Sequence, residues 1–187
     1  MGRWEPDARG RLTRAALELY LDPGYEQTTV ADIAARAGVT ERTFFRHFAD
    51  KREVLFDGSD QFQDAVLAQI STVPVEASPL EAAAAGMAAA AALVQSRPDR
   101  DFPRRRAAVI AVNPSLTERE LLKLSNVTSA MARALAERGV DPVDAAVAAN
   151  AAMAAFHVAF ERWTTTPDPR DLRELLADGI ARFRALS

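Results

Sequence analysis

The chain of 187 residues has no cysteine, two histidines (His47 and His157), two lysines (Lys51 and Lys123) and two tyrosines. Without cysteine there is no disulfide framework, no Cys-ligated zinc and no thiol nucleophile. The two histidines stand far apart, and no His/Glu metal spacing, Gly-rich phosphate loop or carboxylate pair stands out. The expectation is therefore a protein that is not an enzyme and uses no cofactor and no metal. Sustained period-two alternation is missing and β-branched residues are scattered, which argues against strands. No apolar run reads as a membrane span, since the alanine-rich stretch from Glu81 to Val94 is short and weakly apolar. Met1 to Arg14 lacks the apolar centre of a signal peptide. These absences lead us to expect a cytoplasmic chain with no membrane partner.

What is present suffices for one or two small helical domains. Hydrophobic residues make up 49%, which excludes disorder. The preponderance of Arg over Lys and the many alanines suggest a GC-rich bacterial genome. The net charge of −3 argues mildly against a general nucleic-acid binder. Residues 1–52 carry nine basic against eight acidic groups, a net of +1, while the remainder carries fourteen against eighteen, a net of −4. Basic groups that contact an anion must therefore be concentrated in space, not in number. Arg3, Arg9, Arg11 and Arg14, at the start of the first helix, are candidates for phosphate or the minor groove.

The segment from Thr28 to Lys51 is the most specific stretch. Thr28 or Thr29 can cap a helix, with Asp32 completing a weak capping box. Val30, Ile33, Ala34 and Ala37 then recur at helical spacing. Gly38 suits a left-handed stop, Val39 a buried turn, and Thr40 a second cap. Phe44 and Phe48, four residues apart, anchor the second helix and leave Arg42, Thr43, Arg46 and His47 largely off the anchored face. An Arg fork can bond the O6 and N7 of guanine, and Thr can bond a base edge or pack on a thymine methyl. The layout is that of a helix-turn-helix. The bland alternative is an ordinary helix pair with a solvated basic face.

Residues 9–56 resemble the DNA-binding domain of TetR-family bacterial repressors. The matching elements are Gly24-Tyr25, Thr28-Thr29-Val30, Ile33-Ala34, Ala37-Gly38-Val39-Thr40, Thr43-Phe44-Phe45, His47-Phe48, and Lys51 followed by Glu53 and Leu55. The resemblance implies that Thr40, Arg42, Thr43 and Arg46 face the major groove, and that Thr28 or Thr29, His47 and Lys51 hold phosphates. The family commonly has a phosphate-binding Tyr where this chain has Phe45, so Phe45 is read as a packing residue.

Beyond the motif the expectation is helical throughout. Helices are expected over about 8–21, 51–71, 79–96, 102–113, 115–138, 141–165 and 170–186, punctuated by Pro and Gly. In all, about nine helices form an all-α fold. A three-helix helix-turn-helix domain at 1–52 precedes a helical ligand-binding and dimerisation domain at 53–187. The helix at 51–71 is the expected link between them.

Leu172, Leu175, Leu176, Gly179, Ile180, Phe183 and Leu186 form a broad apolar stripe. The preceding helix is apolar nearly all round from Ala145 to Phe160. A symmetric four-helix dimer interface would explain both, and a monomer core is the alternative. Asn113, Asn126, Asn150 and His157 are polar groups in apolar helical surroundings, either satisfied internally or lining a ligand cavity. Arg104, Arg105 and Arg106 crowd the positive end of a helix, so an anion should offset them: Asp99 and Asp101, or an anionic ligand. Residues 102–126 are also similar to a TetR subgroup, common in actinobacteria, whose C-terminal domains are described as binding acyl-CoA-like ligands.

The reading is a homodimeric regulator, most simply a repressor, on a pseudo-palindromic double-stranded operator. A hydrophobic or acyl-type effector, such as a fatty acid or acyl-CoA-like molecule, would be held by Arg104, Arg105, Val109, Asn113, Met153 and His157. The alternative is a ligand-independent DNA-binding scaffold whose C-terminal half only dimerises.

Overall fold

Proline, glycine and short polar caps set the helix boundaries. The computed structural model describes residues 7–97, 99, 101–166 and 170–186, and among the described residues there is no strand. The described residues form nine α-helices, in order: α1 (Ala8–Leu19), α2 (Val30–Arg36), α3 (Glu41–His47), α4 (Ser59–Thr72), α5 (Pro79–Gln95), α6 (Phe102–Ala111), α7 (Pro114–Glu137), α8 (Pro142–Thr165) and α9 (Leu172–Leu186). Three of them begin on a proline, whose fixed φ suits a first turn and whose missing N–H costs nothing there. Ser78 and Asp141 cap α5 and α8 by accepting bonds from backbone N–H groups of the first turn.

The helix expected over 51–71 does not form as one piece. Glu53–Phe56 is a 3-10 turn, and Gly58 then adopts a left-handed φ of 91°, so α4 starts only at Ser59. The three apolar residues Val54, Leu55 and Phe56 are buried one after another, which a single continuous helix face could not achieve.

The chain divides into two compact units. One comprises Met1–Asp57 with Arg105–Glu120; the other comprises Gly58–Arg104 with Leu121–Ser187. The sequence expectation is a contiguous division at 52/53; in this division by contacts residues 105–120 group with the N-terminal segment. Leu12, Ile33, Phe44, Leu55 and Leu116 are fully buried in that unit. The Arg106 guanidinium grips the Glu120 carboxylate through two bonds (3.1 and 2.6 Å), donates to the Leu55 carbonyl at 2.6 Å and lies over the Phe56 ring. Arg119 pairs with Glu53 at 2.6 Å.

In the second unit α5 is the inner helix, packed on α4, α8 and α9. Its small residues allow close approach: a Cβ at Gly86 would stand 3.0 Å from both the Val66 carbonyl oxygen and Ile70 Cγ1. Val66, Ile70, Met87, Met131, Leu135, Leu172 and Leu176 fill the core around it. By length and composition α8 is apolar enough to cross a membrane, contrary to the sequence expectation of no such run. Half of its most apolar window is buried within the chain, as for a core helix.

Candidate DNA-recognition helix and C-terminal groove

The local chemistry of residues 28–51 explains how α3 is held. Thr29, not Thr28, caps α2: its hydroxyl accepts from the Asp32 N–H, and the Asp32 carboxylate accepts from the Thr29 N–H at 2.9 Å. Those bonds from Thr29, side chain first, hold the Asp32 carboxyl below its ordinary range. Ile33, Ala34 and Ala37 are buried. Gly38 takes φ 68°, and the Gly38 and Val39 amides turn back on the Ala35 and Ala34 carbonyls, closing α2 as a left-handed stop does. Thr40 caps α3, accepting from the Thr43 N–H at 3.2 Å. Phe44 and Phe48 are buried, 5.7 Å apart ring to ring, and fix the helix from below.

The expected DNA residues divide into three groups. Thr29, Thr40, Arg42 and Arg46 are exposed, and Thr43 is half-buried, its hydroxyl 3.1 Å from that of Thr40. His47 is half-buried, and its Nε2 is closed off from solvent with no hydrogen-bond partner among the described residues. A phosphate contact by His47 would therefore have to use the other ring nitrogen. Thr28 and Lys51 are committed to the fold. Thr28 is 2% exposed and its hydroxyl donates to the Gly24 and Leu19 carbonyls. The Lys51 ammonium donates to the Tyr25, Thr28 and Glu26 carbonyls at 2.8, 3.0 and 3.4 Å and stands 4.4 Å from the Tyr25 ring centroid. The Lys51 carbonyl in turn accepts the Tyr20 hydroxyl, and burial pushes the Tyr20 phenol well above its ordinary range. These two residues brace the loop before α2 and leave little for a phosphate.

Phe45 overturns the expectation of packing: it is 56% exposed. Of the N-terminal arginines, Arg9 pairs with Asp57 at 2.7 Å and lies over the Phe48 ring, Arg14 approaches Asp7 at 3.5 Å, and Arg3 lies outside the described residues.

In the second unit a groove of about 440 Å³ runs between α7 and α8. Leu121, Leu124 and Met153 line it together with Ser125, Thr128, Asn150 and His157. Met153, His157 and Asn150 line one groove. Val109 and Asn113 do not line this groove and belong to the other unit. The Asn113 amide, just beyond α6, and the Asn150 amide in α8 each donate to the carbonyl four residues back, at 2.6 and 2.8 Å, so both have local partners. At the start of α6, the Asp99 carboxylate accepts from the Asp101 and Phe102 amides. Arg104 stacks 5.7 Å from the Trp163 ring centroid. With the Glu120 grip on Arg106, the cations expected to need a ligand anion have neighbours within the chain. Sequence reasoning missed the bracing set Glu53, Leu55, Arg106, Arg119 and Glu120. The arginine triplet and the motif residues Glu53 and Leu55 were visible, but nothing in them says which side chains meet.

The stripe read on α9 is mostly intramolecular. Leu172, Leu175, Leu176 and Ile180 are buried, and a Cβ at Gly179 would stand 3.4 Å from Ala155 of the same chain. Exposed apolar surface lies on α8, where Val143, Val147 and Val158 are 60–70% exposed, and at the end of α9, where Phe183 is 39% and Leu186 88% exposed.

Comparison with known proteins agrees with this architecture. Residues 12–57 match the family described as bacterial regulatory proteins, tetR family, and residues 77–186 match the MftR C-terminal domain. The transcriptional regulator TcmR of Streptomyces glaucescens is 47% identical over 74 residues, 40% of this chain and 33% of that one. The transcriptional activator FasR of Mycolicibacterium smegmatis is 40% identical over 48 residues, 26% of this chain and 22% of that one. The matches thus span only about a quarter to a third of these relatives. Two solved structures share the fold. SmeT in complex with triclosan is 21% identical, with a TM-score of 0.65 over 94% of this chain and 90% of that one. The fatty acid degradation regulator FadR of Bacillus halodurans is 16% identical, with a TM-score of 0.62 over 96% and 95%. With the tetR-family match over residues 12–57 and the MftR C-terminal domain over residues 77–186, the chain belongs to the TetR family of bacterial transcriptional regulators.

Proposed function

We propose that the chain works in the cytoplasm as a homodimeric repressor that leaves a pseudo-palindromic operator when a small hydrophobic or acyl-type effector binds. The observation that carries this reading is the build of α3. Its lower face is locked by Phe44 and Phe48 and its start by Thr40, while Arg42 and Arg46 stand free on the outer face. Two such helices, one turn of duplex apart, read two half-sites, so one copy is not enough.

The exposed valines of α8 supply the face for a second copy. Val143, Val147, Ala154 and Val158 recur at spacings of four, seven and four, one strip of helix surface. The groove beside this strip falls in the size range of small-molecule sites and mixes apolar walls with a few polar groups. A hydrophobic effector is in keeping with the triclosan held by SmeT and with the fatty acid role in FadR's description. An effector seated against α8 would adjoin the dimer strip and bias the separation of the two recognition helices, within the limit of its differential affinity. The Arg106–Glu120 and Arg119–Glu53 pairs tie the unit-one parts of α6 and α7 to the turn that follows α3.

Sedimentation and operator binding test the reading together. Val147→Glu is expected to yield monomer at micromolar concentration and to lose operator affinity, whereas wild type stays dimeric. In the same assay, release of labelled operator is measured across fatty acids, acyl-CoAs and neutral hydrophobes, for wild type and for His157→Leu. A wild-type monomer sinks the dimer; an operator that no member of the panel releases favours the ligand-independent scaffold.

A further inference from the structure

The exposed phenyl ring of Phe45 stands where nothing in the fold requires it. Phe45 follows Arg42 by three residues and precedes Arg46 by one on α3, so it sits on the flank of the same outer face. It is 56% exposed, although an apolar ring of this size is ordinarily buried. One edge of it is nevertheless in contact. The ring packs edge-on against Phe44 at 5.4 Å with an interplanar angle of 81°, and Phe44 is fully buried. An apolar group is thus presented beside two arginine cations, on the helix that belongs against DNA.

We propose that Phe45 selects thymine, by packing on the C5-methyl group of one thymine in each operator half-site. The major groove offers donors and acceptors at every base, and the thymine methyl is the apolar feature among them. A phenyl ring carries no donor or acceptor, so it gains nothing from guanine, adenine or cytosine edges. It loses water on docking, and only the methyl gives it an apolar surface in return. The flanking arginines supply the charge complementarity that brings duplex DNA to this face. This inference rests on the regulator reading and adds a base preference to it.

The experiment separates the two. Wild-type protein selects an operator from random duplexes. Each thymine of that operator is then replaced, one at a time, by deoxyuridine, which lacks only the methyl. At one thymine per half-site the replacement is expected to weaken wild-type binding about fourfold, the effect of exposing one buried methyl group. Phe45→Ala is expected to bind thymine and uracil operators equally, and its melting temperature reports whether it is folded. Uniform tolerance of uracil by wild type bound to its operator overturns the inference and leaves the regulator reading intact. So does a Phe45→Ala variant that keeps the full uracil penalty. If Phe45→Ala weakens thymine and uracil operators by the same factor, the ring packs on the sugar-phosphate backbone and the inference also fails. Failure of wild type to select any duplex removes the regulator reading and this inference with it. The wild-type uracil scan decides the matter even if the alanine variant does not fold.

Discussion

Replacing Lys51 with methionine keeps most of the apolar stem and deletes the ammonium, and the structure says what that should cost. Three carbonyls lose their donor, those of Tyr25, Thr28 and Glu26, of which the two at 2.8 and 3.0 Å are full hydrogen bonds and the third, at 3.4 Å, is weak. Hydrogen bonds to charged groups contribute about 1.5–3 kcal/mol each when fully desolvated. Lys51 is half-buried and water can reach part of the site, so the two good bonds together should amount to about 2 kcal/mol. The cation over the Tyr25 ring adds roughly 0.5 kcal/mol at such a site. For a chain of this size a loss of about 2–2.5 kcal/mol lowers Tm by roughly 4–10 °C. If Lys51 instead holds a phosphate, its removal should leave Tm nearly unchanged and reduce the slope of log affinity against log salt by about 0.9. Thermal melts and salt titrations on one operator separate the two. Arg42→Ala, at an exposed position, serves as the reference for a DNA contact: weaker operator binding by about 1–3 kcal/mol with an unaltered melt. A Lys51→Met protein that melts like wild type but shows the shallower salt slope would refute the bracing role.

Two further expectations concern the fold that carries the site. Gly86→Val should destabilise by about 1–3 kcal/mol through overpacking, since even a Cβ there meets the Val66 backbone carbonyl and Ile70; chemical denaturation measures it, and a neutral result would mean α4 and α5 can move apart. Asp32, held below the ordinary carboxylate range by Thr29, contributes stability that is present above about pH 4 and is lost as pH falls through its lowered folded value. Melting between about pH 6 and pH 3 should therefore fall more steeply for wild type than for Asp32→Asn, and parallel curves would contradict the capping role.

Much of the N-terminal unit was legible because its signals are local. A cap, an apolar face at helical spacing and a glycine that takes a left-handed φ act over three to five residues, so Thr29, Gly38, Thr40, Phe44 and Phe48 could be assigned from neighbours in sequence. The same reading failed where the deciding partner is remote. Thr28 and Thr29 look alike in sequence, and only the approach of the Leu19 and Gly24 carbonyls makes Thr28 an internal donor. Lys51 looked like a free cation until the loop after α1 folded beneath it. Phe45 could not be told from Phe44, because exposure at a helix flank depends on which neighbours arrive. In the second unit, the apolar residues of α9 predicted a stripe but not its recipient, and the chain's own α5 and α8 claimed it.

The sequence by itself determined that the described residues are helical without strands, where the helices other than α4 begin and end to within a few residues, and that the second motif helix presents arginines. Those properties follow from backbone preferences, periodicity and capping, all of which are short-range. Only the tertiary structure decided which polar groups are spent inside the fold and which remain for a partner. It also decided that residues 105–120 group with the N-terminal unit and that α8 carries exposed valines. Burial and pairing are properties of segments far apart in the chain, such as Glu53 with Arg119, and no local pattern encodes which two will meet.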